Sequence, residues 1–231
     1  MAGRIYLIPV TLGDDDFSGV IPLKVTDLTK QLRFFIVEEL RSARRYLRKI
    51  DKEFPIDESH FSVLNEHTAE HEIEQFLEPL SKGYDIGLMS EAGLPCIADP
   101  GARIVALAHK MRFKVVPLSG PSSIILALIA SGFNGQNFTF NGYLPVKPAE
   151  RSMKIRELER KSREGCSQIF METPYRNQNM FETLITACNS ETRLCIAADI
   201  TLPSESIRTL KISEWEKEVP SLKDRLVVYV L

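Results

Sequence analysis

The sequence predicts an α/β protein of two domains, the first on a mostly parallel sheet and the second on a mixed one. Three observations carry this. From residue 4 to about residue 119, short β-rich runs alternate with helical patterns, the order expected of a parallel sheet covered on both faces. Near Asn134 the character changes, and two late β-rich runs follow each other with little helix between them. The chain has 231 residues, enough for two compact domains with cores of their own. The expected division is residues 1–120 and 121–231.

In chain order, the first domain takes strands at 4–10, 34–39, 61–64, 85–90 and 114–119. Helices near 23–32, 40–53, 67–82 and 100–111 separate them. The second takes strands at 137–144, 167–173, 193–199, 207–213 and 225–231, with helices at about 148–164 and 176–189. The run NFTFNGYL (137–144) alternates as a half-exposed strand does. Between the domains, PLSGPSSIILALIASGF (117–133) reads as a strand broken by Gly120 and Pro121. Proline favours a first helical position, so a helix should open there with Ser122 and Ser123 in its first turn. Ile124 to Ala130 is apolar on every side, which predicts a buried helix, ended by Gly132. Its first turn could receive a carboxylate or hydroxyl ligand; it could equally be a capped core helix.

Composition narrows the function classes. A hydrophobic content of 44% with 26% charged residues suits a globular protein, and no apolar run approaches the roughly 20 residues that span a bilayer. The opening MAGRIYLIPV holds too short an apolar stretch for a signal peptide. Four cysteines without a C-x-x-C pair fit a reducing compartment. Together these point to the cytoplasm and away from membranes. A net charge of −2 argues against broad nucleic-acid binding but leaves room for a local basic patch.

One such patch lies in LRSARRYLRKI (40–50). Leu40, Ala43, Leu47 and Ile50 fall on one helical side; Arg41, Arg44, Arg45 and Arg48 fall together on the other. Guanidinium forks match phosphates, and a solvated charged face is the alternative reading. HTAEH (67–71) matches a zinc-peptidase pattern. However, Glu70, His71, Glu74 and Glu78 lie opposite the apolar face of Ala69, Ile73, Phe76, Leu77 and Leu80, so no dry metal pocket is expected. DDDFS (14–18) lacks the spacing of a calcium loop. No Walker motif and no G-x-G-x-x-G is present. Most informative is SEAGLPCIADPG (90–101), a stiff, glycine-opened turn at the carboxyl end of a predicted strand, where open parallel sheets bind ligands.

With SGPSS (119–123), FNGYLPVKPAER (140–151) and ETPYR (172–176), that segment resembles the tetrapyrrole-methylase superfamily of S-adenosylmethionine-dependent methyltransferases. Within it, the chain is most similar to the family I ribose 2′-O-methyltransferases of small-subunit ribosomal RNA. The resemblance implies two α/β domains, a homodimer, S-adenosyl-L-methionine in an interdomain cleft, and ribosomal RNA or the small ribosomal subunit as partner. It implies that Pro9, Gly93, Leu94, Ile97, Ser122 and Ser123 meet the cofactor, and that Met171 and Ala198 enclose its adenosine part. No metal is implied.

Departures fall mostly on polar positions. The first-strand loop IPVTLGD (8–14) is one residue shorter than the family's and lacks its first glycine. EELR (38–41) keeps Arg41 but has Leu40 for threonine, NEHT (65–68) keeps only Glu66 and His67, and ADITL (198–202) lacks two basic residues. Glu91 stands for an aspartate and Leu94 for a threonine. Methyl transfer to a ribose hydroxyl benefits from a positioned base. Glu91, Glu66 and His67, all at predicted strand ends, are the candidates, with Arg41, Arg44, Arg45 and Arg48 for RNA phosphates. A methyltransferase for a tetrapyrrole or small molecule, and a non-catalytic cofactor- or RNA-binding relative, are the competing readings.

Overall fold

The computed structural model describes residues 2–13 and 16–231; Asp14 and Asp15 of the acidic run lie outside them. Contacts divide the chain into two units, Met1–Ser122 and Ser123–Leu231.

The first unit runs β1 (Arg4–Ile8), α1 (Leu23–Gln31), β2 (Phe34–Val37), α2 (Leu40–Ile50), β3 (His60–Val63), α3 (Glu70–Phe76), α4 (Glu78–Ser81), β4 (Ile86–Met89), α5 (Gly101–Lys110) and β5 (Lys114–Pro117). Its five strands are all parallel, in the order β3-β2-β4-β1-β5. Side chains alternate across each strand, and the core divides accordingly. Tyr6, Ile8, Phe35 and Val37 pack with Tyr46 and Leu47 of α2. Ile5, Ile36 and Leu88 pack on the other face with Leu80, Ile104 and Ala108. The parallel sheet covered on both faces is as expected. Central β4 is buried at every position. A Cβ on its Gly87 would stand 2.5 Å from Ile8 Cδ1, so any larger residue would push the Ile8 side chain aside.

The second unit runs α6 (Ser123–Ser131), β6 (Phe138–Tyr143), α7 (Pro148–Arg163), β7 (Ser167–Glu172), α8 (Asn177–Ala187), β8 (Arg193–Ala198), β9 (Ser206–Lys211), α9 (Ile212–Trp215) and β10 (Val227–Val230). Its sheet is mixed, ordered β6-β7-β10-β8-β9, with β6 parallel to β7 and every other pair antiparallel. Ile155, Phe170, Phe181, Ile196, Trp215 and Tyr229 form its main core, and the Trp215 indole N–H donates to the Leu194 carbonyl at 2.9 Å.

Three local expectations are corrected. The helix expected over 67–82 is two, α3 and α4, parted at Leu77. Pro79 sits in the first turn of α4, where its missing N–H and ring end the preceding i→i−4 ladder. The helix after Gly120 starts at Ser123, so Pro121 lies before it and not at its first position. Nor is α6 buried all round. Ile124, Ala127 and Leu128 are covered, whereas Ile125 and Ile129 are 42% and 71% exposed. Uniform apolarity removes the periodic signal that would have told its two faces apart.

Candidate functional site

The carboxyl ends of the first unit's parallel strands carry those predicted residues that lie in that unit. After β4 the chain enters the 90–101 loop through Gly93, which is buried with φ +70. A Cβ there would meet Leu12 Cδ2 at 3.0 Å and the Pro121 carbonyl oxygen at 3.2 Å. The Gly93 carbonyl accepts the Val10 N–H at 2.9 Å, joining the exits of β1 and β4. Cys96 and Ala98, either side of exposed Ile97, take φ +71 and +63. For residues with a Cβ that conformation costs about 1–2 kcal/mol each. Strain of this kind concentrates at ligand-handling loops.

Asp99 closes the loop. One of its carboxylate oxygens, Oδ1, accepts the Gly101 N–H at 2.7 Å; the other, Oδ2, is buried with no hydrogen-bond partner among the described residues. The Cys96 thiol is pushed up to about 12 by burial and then by the Asp99 charge, which keeps it a neutral thiol near neutral pH.

The base candidates separate. Glu66 and His67 lie together in the turn after β3, His67 Nε2 being 3.5 Å from Glu66 Oε1, with both side chains 85% exposed. Glu91, also exposed, turns its backbone N–H to the carboxylate of Glu38 at 3.3 Å. Glu38, at the exit of β2, was not among the sequence candidates. Burial raises its carboxyl above the ordinary carboxylate range; the Glu91 N–H opposes the rise and the Asp99 and Glu91 charges add to it. In sequence it is one of two adjacent acids before a helix. Only Glu39 takes the capping role, accepting the N–H groups of Arg41 and Ser42 at 2.8 and 2.6 Å. That division was the available signal, since one N-cap needs one carboxylate.

Pro9 is buried, and its carbonyl accepts the Tyr46 hydroxyl at 3.1 Å. Gly120 lies directly on it: a Cβ there would stand 2.1 Å from Pro9 Cβ. Leu94 is half-buried, Ser122 buried just before α6, and Ser123 its first residue. On α2, Arg41, Arg44, Arg45 and Arg48 are all exposed. Arg44 lies over the Phe61 ring at 5.3 Å, and Arg48 donates to the Lys52 carbonyl at 2.6 Å.

In the second unit, Met171 is the penultimate residue of β7 and Ala198 ends β8. Asp199 follows with φ +52. Burial pushes its carboxyl up, but Arg225 at 2.7 Å, the Leu226 N–H and the Ser204 hydroxyl together hold it below its ordinary value. Within the departing ADITL segment this acid is therefore a structural clasp. Glu172 is fully buried and pairs through Oε1 with Arg176 at 2.5 Å.

Chemically, the strand ends of the first unit offer a raised carboxyl and further carboxylates for a cationic ligand, beside a loop pinned at Gly93 by the Val10 N–H.

The family model for Tetrapyrrole (Corrin/Porphyrin) Methylases matches residues 4–216. A protein of Haemophilus influenzae called Ribosomal RNA small subunit methyltransferase I is 32% identical, covering all of this chain and 79% of its own. Its namesakes from Vibrio cholerae and Streptococcus pyogenes are 30% and 32% identical, covering 91% and 92% of this chain and 69% and 70% of theirs. The solved structure of the methyltransferase CobJ shares the fold, with a TM-score of 0.64 and 15% identity over 99% of this chain and 94% of that one.

Proposed function

As a member of the tetrapyrrole methylase family the chain is a methyltransferase, and we propose that it moves a methyl group from S-adenosylmethionine to a ribose 2′-hydroxyl of small-subunit ribosomal RNA. The names of its relatives support the acceptor. The observation that carries the reading is the arginine stripe of α2, which starts two residues after Glu38 at the same sheet end. An acid that can hold a proton, next to cations that can hold phosphates, suits an RNA hydroxyl better than an apolar macrocycle.

When bound, S-adenosylmethionine supplies an electrophilic methyl on a sulfonium centre. The residues present fit such a ligand: its cationic groups find carboxylates at Glu91 and Asp99, and Asp99 Oδ2 has no partner among the described residues. Gly93, Leu94, Ile97 and Pro9, with Ser122 and Ser123, form the cofactor-facing set in this reading, and Met171 and Ala198 are assigned to adenosine by the resemblance.

Glu38 then accepts the proton of the acceptor hydroxyl. Its half-burial makes the carboxylate a stronger base than an exposed one, and the Glu91 N–H fixes its position. Glu66 and His67, in an exposed turn, serve as substrate contacts or second-line proton carriers. Arg41 and Arg45 take phosphates. The protein acts as a cytoplasmic homodimer in this reading. Isothermal titration with S-adenosylmethionine tests the donor: saturable binding weakened in Gly93→Ala is expected, and no binding would refute it.

A further inference from the structure

The second unit contains a cavity of about 460 Å³ that the methyl-transfer reading does not use. It lies where β7 and β8 begin, lined among others by Phe133, Arg163, Ser167, Thr192, Arg193 and one carboxylate, Glu191. Met171 and Ala198 sit at the other ends of these strands. Four or five residues at about 3.3 Å each separate the two ends by some 13–17 Å.

The charges around this cavity are unequal in kind. Arg163 pairs with Glu159 at 2.8 Å, and the same carboxylate takes the Asn189 N–H and the Thr192 hydroxyl. Lys211, in register with Arg193 across β9, pairs with Glu191 at 2.7 Å. Arg160 and Lys161 pair with Glu164 and Glu157. Arg193 is the exception. Among the described residues its guanidinium has no carboxylate partner and lies over the Phe133 ring, 4.8 Å from the centroid. Asn134 holds the floor rigid, its amide donating to the Gly165 carbonyl and its own carbonyl accepting the Ser167 hydroxyl. An uncompensated guanidinium backed by an aromatic ring, in a cavity of single-nucleotide size, matches the chemistry of a nucleotide phosphate with its base.

We infer that this cavity binds a phosphodiester of a single-stranded RNA segment through Arg193, with Phe133 beside the adjoining base. The inference rests on the RNA reading above and adds a contact at the strand ends opposite Met171 and Ala198.

The test is fluorescence anisotropy of a labelled single-stranded RNA oligonucleotide against the full chain across a salt series. Arg193→Ala should weaken binding about fivefold, the upper range for one exposed charge pair. It should also lower the log–log salt slope by about 0.7, the value of one single-strand phosphate. Arg193→Lys should keep the slope, and Arg160→Ala, which removes a cation already paired with Glu164, should change neither quantity. S-adenosylmethionine affinity of Arg193→Ala should match that of the wild type, which also reports an intact fold. An unchanged slope in Arg193→Ala, where Arg41→Glu does reduce RNA binding, overturns the inference and leaves the RNA reading standing. Wild-type protein with no RNA affinity overturns both. Inorganic phosphate titrated in parallel separates the sources: loss of phosphate binding without loss of RNA binding marks a free-anion site and also overturns the inference.

Discussion

The Glu91 backbone N–H donates to the Glu38 carboxylate at 3.3 Å, across 53 residues of chain. This contact ties the exits of β2 and β4 and sets a half-buried acid at the carboxyl end of the parallel sheet. Because burial raises the Glu38 carboxyl, its ionisation works against the fold. The native state binds its proton more tightly than the unfolded chain, so the stabilising effect is complete at pH below the ordinary carboxylate range. It is lost as pH rises through the raised value. Glu38→Gln keeps an acceptor for the Glu91 N–H and removes the titration. Melting temperatures of variant and wild type should coincide near pH 4 and diverge in the variant's favour toward neutrality.

The same substitution tests catalysis. Removing a general base lowers turnover about a hundredfold or more, and the rise of kcat with pH that reports Glu38 ionisation should vanish in Glu38→Gln. Single-turnover methylation across pH 5–8 measures both. A variant that is fully active with an unchanged pH profile would remove Glu38 from the mechanism.

Gly120→Ala should destabilise the first unit. The added Cβ would fall 2.1 Å from Pro9 Cβ and 2.4 Å from its Cγ, and a proline ring cannot swing aside as a long side chain can. Overpacking of this kind costs about 1–3 kcal/mol, with about 2–4 °C of melting temperature for each kcal/mol in a chain of this size. Differential scanning calorimetry reads the loss.

Arg41→Glu and Arg45→Glu should each weaken RNA binding and lower its salt slope by about 0.7 or more, with melting temperature nearly unchanged because both side chains are exposed. Arg44→Glu should lose stability as well, since Arg44 covers the Phe61 ring. Anisotropy and thermal melts on the same preparations separate the two effects.

The strands were legible because each is a short apolar run bounded by polar or turn residues, as in DIGLMS around β4. The parallel order of the first sheet followed from their alternation with helices. The break at Leu77 was missed because the apolar positions Ile73, Leu77 and Leu80 keep helical spacing straight through it; Pro79 was the signal against a single helix. The site was only half legible. Gly93 and Gly120 stand out in sequence, and their close neighbours, Pro121 and Pro9, explain why glycine is needed. Glu38 was hidden because the residues it meets, Glu91 and Asp99 of the loop after β4, lie far along the chain. The exposure of Glu66 and His67 was hidden for the same reason: a strand end in sequence says nothing of how deeply the following turn is covered.

The most direct test of the whole account is methyl transfer itself. Purified protein is incubated with S-adenosylmethionine carrying a labelled methyl and with small ribosomal subunits from a strain lacking the gene. The RNA is then hydrolysed in alkali, which leaves intact only linkages whose 2′-hydroxyl is blocked. The expected result is label in an alkali-resistant dinucleotide of the small-subunit RNA, absent with Glu38→Gln. Label in a base, in another acceptor, or nowhere despite cofactor binding would contradict it.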